Sequence, residues 1–359
     1  MSLAERIVNQ CLGITAKDNV SILLYPHNIP LAEEIADECF KKGADVLLNL
    51  YTDRYFLSYQ TLLSVESLKQ PSVFCRALTE SSTVEIWMPG TSDPAVLKKI
   101  PADKYAAANE GEAKAHWPLT KQKKVRSIFV GTSLLTEARA KTYGFNYQKW
   151  KRSMEAAANV DYEKLAATGR RLKVALENAK TIQVKRRGGT DLTLDVTGSK
   201  WYLSDGVVDQ SDVKDENFSD EVPAGSIVTA PRQKGADGRV IFNAVTPYHG
   251  VTLGKIQFSF RDGRVTQFFT DPASKIVRDE WKAAKGDKDR IATFALGFNP
   301  KAEPGYTSNN IVSGAVSIGI GGNEDIGGRN RPGFNFADQV IGATVQVDGK
   351  TIVKQGRIV

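Results

Sequence analysis

Three carboxylates lie close together in a glycine-rich stretch near the end of the sequence. Glu324 and Asp325 are adjacent, and Asp338 follows within the same stretch. If the side chains converge, one can act as a general base while a neighbour stays protonated, because close carboxylates repel each other and their pKa values separate. Glu324 and Asp338 could instead hold one hard cation such as Mg²⁺. Solvated loop acids and a turn-capping aspartate are the alternative interpretation.

Two serines are candidate nucleophiles. Ser226 lies in "EVPAGSIVTAP", between a Pro-Ala-Gly turn and a β-branched run, and Ser317 lies in "VSIGIG". A serine hydroxyl needs a base within hydrogen-bond range before it can attack a carbonyl. None of the three histidines is a sequence neighbour of either serine. His116 and His249 carry no local pattern, and we interpret them as surface or turn residues.

Polar residues follow two apolar runs in the first part of the chain. His27 comes after "VSILLYP", and Arg54 comes after "DVLLNLY". In open sheets, ligands bind beyond the carboxyl ends of parallel strands. His27 and Arg54 are therefore candidate substrate-binding residues. For His27, the alternative is a hydrogen-bonded loop residue without a ligand.

Composition argues against several classes of protein. Three cysteines far apart in sequence provide neither a disulfide framework nor a Cys-x-x-Cys metal knuckle. The net charge of +7 suggests a nucleic-acid partner. The basic clusters "KQKK" and "KRR" are short and lack interleaved aromatics, however, so we interpret them as parts of a solvent-exposed face. No apolar run reaches the roughly 18 residues of a membrane span, and the first residues do not resemble a signal peptide. We expect a cytoplasmic protein with no membrane or nucleic-acid partner.

The elements that must position these residues fall into two halves. Apolar strands such as "NVSILLY", "TVEIWMP" and "VRSIFVG" alternate with helical segments, which predicts a parallel sheet with helices on both faces. Asp161 can cap a long connecting helix in the following region. From residue 181, "TIQVKRRGGTDLTLDV" and Asp262-Gly263 predict β-hairpins. We predict an α/β domain over residues 1–180 and a β-rich α+β domain over residues 181–359.

Several segments resemble the M29 aminopeptidase family, in the order in which that family has them. They include "SIFVGTSLLTEARAK", "GTDLTLDV", "VPAGSIVTAP", "ALGFNP", "VSIGIG" and "GGRNRPGFNFADQV". The resemblance implies the thermophilic metallopeptidase fold, with the metal site in the second domain. It also implies a homodimer whose C-terminal domains enclose a shared chamber.

The resemblance implies a pair of zinc ions held by carboxylates and histidines, which polarise a peptide carbonyl. This chain departs from that pattern and retains Asp338. Where the family has two glutamates, a histidine, a tyrosine and a second histidine, the sequence holds, in that order, Ser226, Ala295, Ser317, Glu324 and Phe336. One aspartate cannot hold two zinc ions, since such sites need three or four protein ligands. Another branch of the fold resembles dihydroxypyridine dioxygenases, which hold one iron with two histidines and an aspartate. This ligand set also fails here, because Ser317 and Phe336 stand at the likely histidine positions.

These departures predict a larger and more neutral cavity without a metal. We expect Asp338, Glu324, Ser317 and Ser226 as catalytic candidates, and Phe336, Asn323 and Ala295 as residues that contact a ligand, together with His27 and Arg54. Three functions remain open. The first is a repurposed hydrolase-type enzyme that acts on a small molecule or short peptide. The others are a non-catalytic binding or scaffold protein, and a metal-dependent aminopeptidase with other ligands.

Overall fold

The computed structural model describes residues 1–306, 308–331 and 333–359, without the side chain of residue 325. The predicted contribution of Asp325 to an acid cluster therefore lies outside the described residues. The α-helices are α1 Leu3–Arg6, α2 Ile29–Lys41, α3 Asp53–Leu62, α4 Val65–Leu68, α5 Val73–Ser81, α6 Ala102–Lys123, α7 Glu137–Tyr143, α8 Tyr147–Ala158, α9 Tyr162–Leu176, α10 Gln210–Lys214 and α11 Lys275–Ala283.

Within the described residues, the strands fall into three sheets and one short hairpin. In chain order they are β1 Asn19–Leu24, β2 Asp45–Leu50, β3 Val84–Trp87, β4 Arg126–Val130, β5 Thr181–Arg186, β6 Thr190–Asp195, β7 Trp201–Ser204, β8 Ser219–Val222, β9 Ser226–Thr229, β10 Ala236–Ile241, β11 Pro247–Tyr248, β12 Val251–Thr252, β13 Ile256–Arg261, β14 Arg264–Thr270, β15 Ile291–Gly297, β16 Val316–Gly321, β17 Asn335–Val340, β18 Thr344–Val347, β19 Lys350–Lys354 and β20 Arg357–Ile358.

The first compact unit is built on a five-stranded parallel sheet in the order β2-β1-β3-β4-β8. Its central strands bury Ile22, Ile86 and Ile128 completely. Apolar side chains on both sides of these strands need helices on both faces, because each face must be removed from water. The predicted α/β class is confirmed for this part of the chain.

Strand β2 differs from the other apolar strands of this sheet. Its sequence is mostly apolar, as in a strand buried within a sheet. It forms an edge instead, and Leu47, Leu48 and Leu50 are exposed. Within the described residues, no strand pairs with the outer edge of β2.

The second compact unit contains two antiparallel sheets. One has eight strands in the order β14-β13-β10-β6-β5-β18-β19-β20, and the other has five in the order β17-β16-β15-β9-β7. The predicted hairpins at β5–β6 and β13–β14 are present. Asp161 caps α9, accepting a hydrogen bond from the Lys164 amide, as predicted. Phe258 and Phe294, one from each sheet, are fully buried. The β-rich class is confirmed here.

The chain divides between the two units at different places from the predicted boundary at residue 180. The first unit comprises residues 1–159 and 206–223, and the second comprises residues 160–205 and 224–359. Residues 206–223 return to the first unit because β8 pairs in parallel with β4. Among the described residues, no helix is long and apolar enough to cross a membrane.

Candidate functional site

Three of the predicted site residues share one face of the five-stranded antiparallel sheet. Ala295 on β15 pairs with Ser317 on β16, and Ser226 on β9 pairs with Gly297, two residues along from Ala295. Directly paired residues, and residues two apart on a strand, point to the same side of a sheet. All three side chains are buried. The sheet therefore brings Ser226, Ala295 and Ser317 together on a face of small side chains.

The remaining two predicted residues of this sheet point the other way. Asp338 pairs with Ile318, the neighbour of Ser317, so Asp338 and Phe336 lie on the opposite face. An alanine carbon built at Gly319 would lie 3.2 Å from the β-carbon of Ala337, which independently puts Ala337 on the serine face. The structure therefore separates Asp338 from Ser317 by the thickness of the sheet.

Asp338 is a buried acid in the core of the second unit, with a relative exposure of 1%. The Thr246 hydroxyl donates to its Oδ1 at 2.6 Å, and the Gln339 amide donates to the same atom at 2.7 Å. Burial raises the pKa of Asp338 to about 6, and these two hydrogen bonds only partly offset that effect. At a pH near 6, the protonated and ionised forms of Asp338 therefore coexist.

Phe336 takes part in an aromatic cluster beside Asp338. Its ring centroid lies 6.1 Å from that of Phe258 and 5.7 Å from that of Tyr248, with the rings nearly perpendicular in both pairs. Such edge-to-face pairs are the favoured aromatic geometry. Phe336 therefore packs the core where the resemblance expects a metal-binding histidine.

Glu324 and Asn323 follow β16 and do not join Asp338. Glu324 is exposed at the start of a 3-10 turn. Asn323 is buried, but both ends of its side chain are hydrogen-bonded. Its Nδ2 donates to the Ala292 carbonyl, and its Oδ1 accepts from the backbone N–H of Asn330. Asn323 thus holds the chain after β16 in place. A cation shared by exposed Glu324 and buried Asp338 has no support in this arrangement.

The loop before Ser226 is tightly packed. Gly225 has φ +128°, and a β-carbon there would lie 2.7 Å from Cβ of Asn299. The side-chain Nδ2 of Asn299 donates to the Ala224 carbonyl at 2.6 Å. The "PAGS" and "GFNP" segments therefore meet through a backbone approach that only glycine permits.

The donor set does not fit a pair of zinc ions. Among the residues whose side chains are described, no three His, Cys, Asp or Glu come together in a way that could hold a metal. The face with Ser317 offers hydroxyls and a methyl group, which are poor ligands for zinc. The Ser317 hydroxyl itself is buried without a hydrogen-bond partner in the described structure.

A cluster that the sequence interpretation missed lies next to Phe336, and we call Tyr248, His249 and Glu280 the hairpin cluster. Glu280 on α11 accepts from the Tyr248 hydroxyl at 2.5 Å and contacts Nδ1 of His249 at 2.9 Å. The Tyr248 and His249 rings stack with centroids 4.1 Å apart. The His249 and Glu280 side chains are 22% and 21% exposed. A carboxylate that holds an imidazole in this way fixes its orientation and tautomer.

The backbone explains how the hairpin cluster forms. Tyr248 pairs with Val251, so His249 and Gly250 form a two-residue turn between β11 and β12. Both have positive φ, +42° and +81°, as a type I′ turn requires. The dipeptide His-Gly between strand-forming residues could have predicted this turn. No local signal could have predicted Glu280, which is far away in sequence.

His27 and Arg54 belong to the first unit. Nε2 of His27 contacts the Ser133 carbonyl at 3.1 Å, and burial lowers the pKa of the imidazole. Arg54 is exposed near the start of α3. Neighbouring Asp53 accepts from the Ser92 amide. His27 is therefore tied to the backbone, and its role as a ligand contact stays a prediction, as does that of Arg54.

Comparison with known proteins agrees with this architecture. The fold is similar to that of wild-type AmpT from Thermus thermophilus, with a TM-score of 0.75 and 15% identity over 99% of this chain and 98% of that one. It is also similar to 2,5-dihydroxypyridine dioxygenase from Pseudomonas putida, with a TM-score of 0.64 and 12% identity over 99% and 96% of the two chains. No curated protein matches the sequence. The profile of the thermophilic metalloprotease family (M29) matches residues 1–300, so this chain belongs to that family.

Proposed function

We propose that this M29 protein is a hydrolase for a small molecule or short peptide and that it works without the paired zinc ions. The observation that carries the proposal is the contact of 2.9 Å between His249 and Glu280 beside Phe336. It supplies an oriented base, whereas Ser226, Ala295, Ser317 and Phe336 supply no zinc ligand.

The chemistry requires only groups of this chain and water. When Nδ1–H of His249 donates a hydrogen bond to Glu280 and keeps its proton, the lone pair lies on Nε2. Nε2 then takes a proton from water as the water oxygen attacks an acyl carbon. The bond to the leaving group then breaks, and the imidazolium returns the proton to that group. Glu280 stabilises the transient cation, as the carboxylate does in other carboxylate–histidine pairs.

Asp338 acts in this scheme as a positioning residue. It accepts from Thr246, which precedes β11, and so ties the start of the hairpin to β17. Ser317, Ser226 and exposed Glu324 remain catalytic candidates without a base in contact in the described structure.

A non-catalytic binding protein is the second candidate. The buried Ser317 hydroxyl without a partner supports it, since a ligand that accepts or donates one hydrogen bond on the face with Ala295 and Ser226 would satisfy that group. A metal-dependent aminopeptidase with other ligands is the third candidate. We also propose a homodimer and a cytoplasmic location, which rest on the family and on the cysteine usage.

The test is hydrolysis of p-nitrophenyl acetate and leucine p-nitroanilide by purified protein whose metal content is measured. We expect ester or anilide turnover that EDTA leaves unchanged and that Glu280→Gln lowers at least tenfold. Asp279→Asn on the same helix is the matched control, since Asp279 is exposed and pairs only with Lys275 in the described structure. Turnover that requires added Zn²⁺ would support the third candidate. Stabilisation by ligands without any turnover would support the second.

A further inference from the structure

Strand β2 presents an apolar edge on the first unit that a folded protein ordinarily protects. Leu47, Leu48 and Leu50 are 55%, 40% and 51% exposed. Edge strands are usually guarded by lysine, proline or a bulge, because unpaired edges invite pairing with another chain. The sequence of β2, "DVLLNL", contains none of these guards. We propose that β2 binds β2 of a second copy of this chain, so that the two parallel sheets join through one antiparallel pair.

The backbone of β2 has a defined outward side. The Asp45 amide donates to Asp18 and the Tyr51 amide donates to Leu24, so odd-numbered residues of β2 direct their backbone groups to β1. Backbone groups alternate in direction along a strand. The amides and carbonyls of Val46, Leu48 and Leu50 therefore point away from the sheet.

A second copy satisfies these groups by symmetry. If the two-fold axis passes beside Leu48, Leu48 faces its own copy and Val46 faces Leu50 of the second chain. Each of these facing pairs then exchanges two hydrogen bonds, as in an antiparallel ladder. Asp45, the only charged residue of β2, then lies opposite Tyr51 and not opposite itself, so no like charges meet.

Helices α2, α3 and α5 of the first unit also expose apolar side chains. Phe40 near the end of α2 is 58% exposed, and Val73 and Phe74 at the start of α5 are 77% and 88% exposed. The Tyr51 ring contacts the Tyr55 ring of α3, with centroids 5.1 Å apart, and Tyr55 is 55% exposed. Burial raises the pKa of Tyr51, and the neighbouring Tyr55 and Cys75 raise it further. Cys75 belongs to α5, so the start of this helix lies near the end of β2.

The exposed apolar area of these elements is comparable in total to one side of a standard interface. At these exposures, the three leucines, Phe40, Tyr55, Val73 and Phe74 present on the order of 800 Å² of surface, since a large apolar side chain covers roughly 150–250 Å² when fully exposed. A standard interface buries about 800 Å² on each partner. This surface lies on the first unit, so it differs from the C-terminal contact that the family resemblance implies. It does not depend on the proposed hydrolase activity.

The experiment combines sedimentation velocity with amide hydrogen exchange on the full chain. We expect the wild type to associate, and Leu48→Lys to weaken one association step at least tenfold, because it places two lysines opposite each other. Val174→Lys is the matched control, since Val174 is 74% exposed on α9 in the other unit. Leu50→Lys and a thermal melt of each variant separate lost association from lost folding.

Hydrogen exchange distinguishes strand pairing from other contacts. In the associated wild type, the Leu48 and Leu50 amides should exchange slowly, and in Leu48→Lys the Leu50 amide should exchange fast. A wild type that stays monomeric would refute the proposal, even if another protein or lipid vesicles bind the surface. So would an oligomer that both lysine variants leave intact, or an oligomer in which the Leu48 amide exchanges fast.

Discussion

Replacing Asp338 with asparagine should stabilise the protein at neutral pH. Asparagine has nearly the same shape, and its side-chain oxygen can still accept from Thr246 and the Gln339 amide. The substitution removes the charge that burial disfavours. Since the side chain is only 1% exposed, solvent screens this effect very little.

The magnitude follows from the displaced pKa of Asp338. Burial raises this pKa from 3.8 to about 6. Between these values the folded protein holds a proton that the unfolded chain has released, so the free energy of unfolding of the wild type falls as pH rises. The fall is complete above pH 6 and amounts to about 3 kcal/mol at roughly 1.4 kcal/mol per pKa unit. Asp338→Asn should therefore match the wild type near pH 4 and exceed it by about 3 kcal/mol at pH 8.

The assay is chemical denaturation of both proteins at several pH values between 4 and 8. The difference between the two proteins isolates the titration of residue 338, because all other groups are shared. Asp191→Asn serves as the control for removing a carboxylate from a solvent-exposed position, since Asp191 is 63% exposed. A difference that stays constant with pH, or a variant less stable than the wild type at pH 8, would show that Asp338 is held as an anion by its neighbours.

The remaining predictions concern packing and metals. Gly225→Ala should lower the free energy of unfolding by about 3 kcal/mol or more in denaturant melts, because its β-carbon would overlap Asn299, whereas Gly198→Ala has open space around it and should cost about 1 kcal/mol. Phe258→Ala should cost about 3–5 kcal/mol, because the ring is fully buried among other aromatics, whereas half-exposed Phe269→Ala should cost under about 1 kcal/mol. Addition of Zn²⁺ or EDTA should shift the melting temperature by less than about 1 °C, and a shift of several degrees would reveal a metal site.

Much of the fold could be predicted because it depends on short-range patterns. The apolar runs at β1, β3 and β4 and the Gly-Gly and Asp-Gly turns appear in the structure as predicted. Strand β8 was missed as a member of the parallel sheet, since its pairing with β4 joins distant segments. The edge position of β2 could not be predicted for a similar reason, because it depends on strand order and not on composition.

The amino-acid sequence by itself determined the family and the two fold classes and predicted the substitution of the expected zinc ligands, because each depends on residue types along the chain. Tertiary structure alone decided which residues meet. The β16–β17 register places Asp338 and Ser317 on opposite faces of one sheet, and a one-residue shift would reverse that. The contact between His249 and Glu280 joins a turn to a helix through packing, and such contacts leave no periodic trace in a sequence.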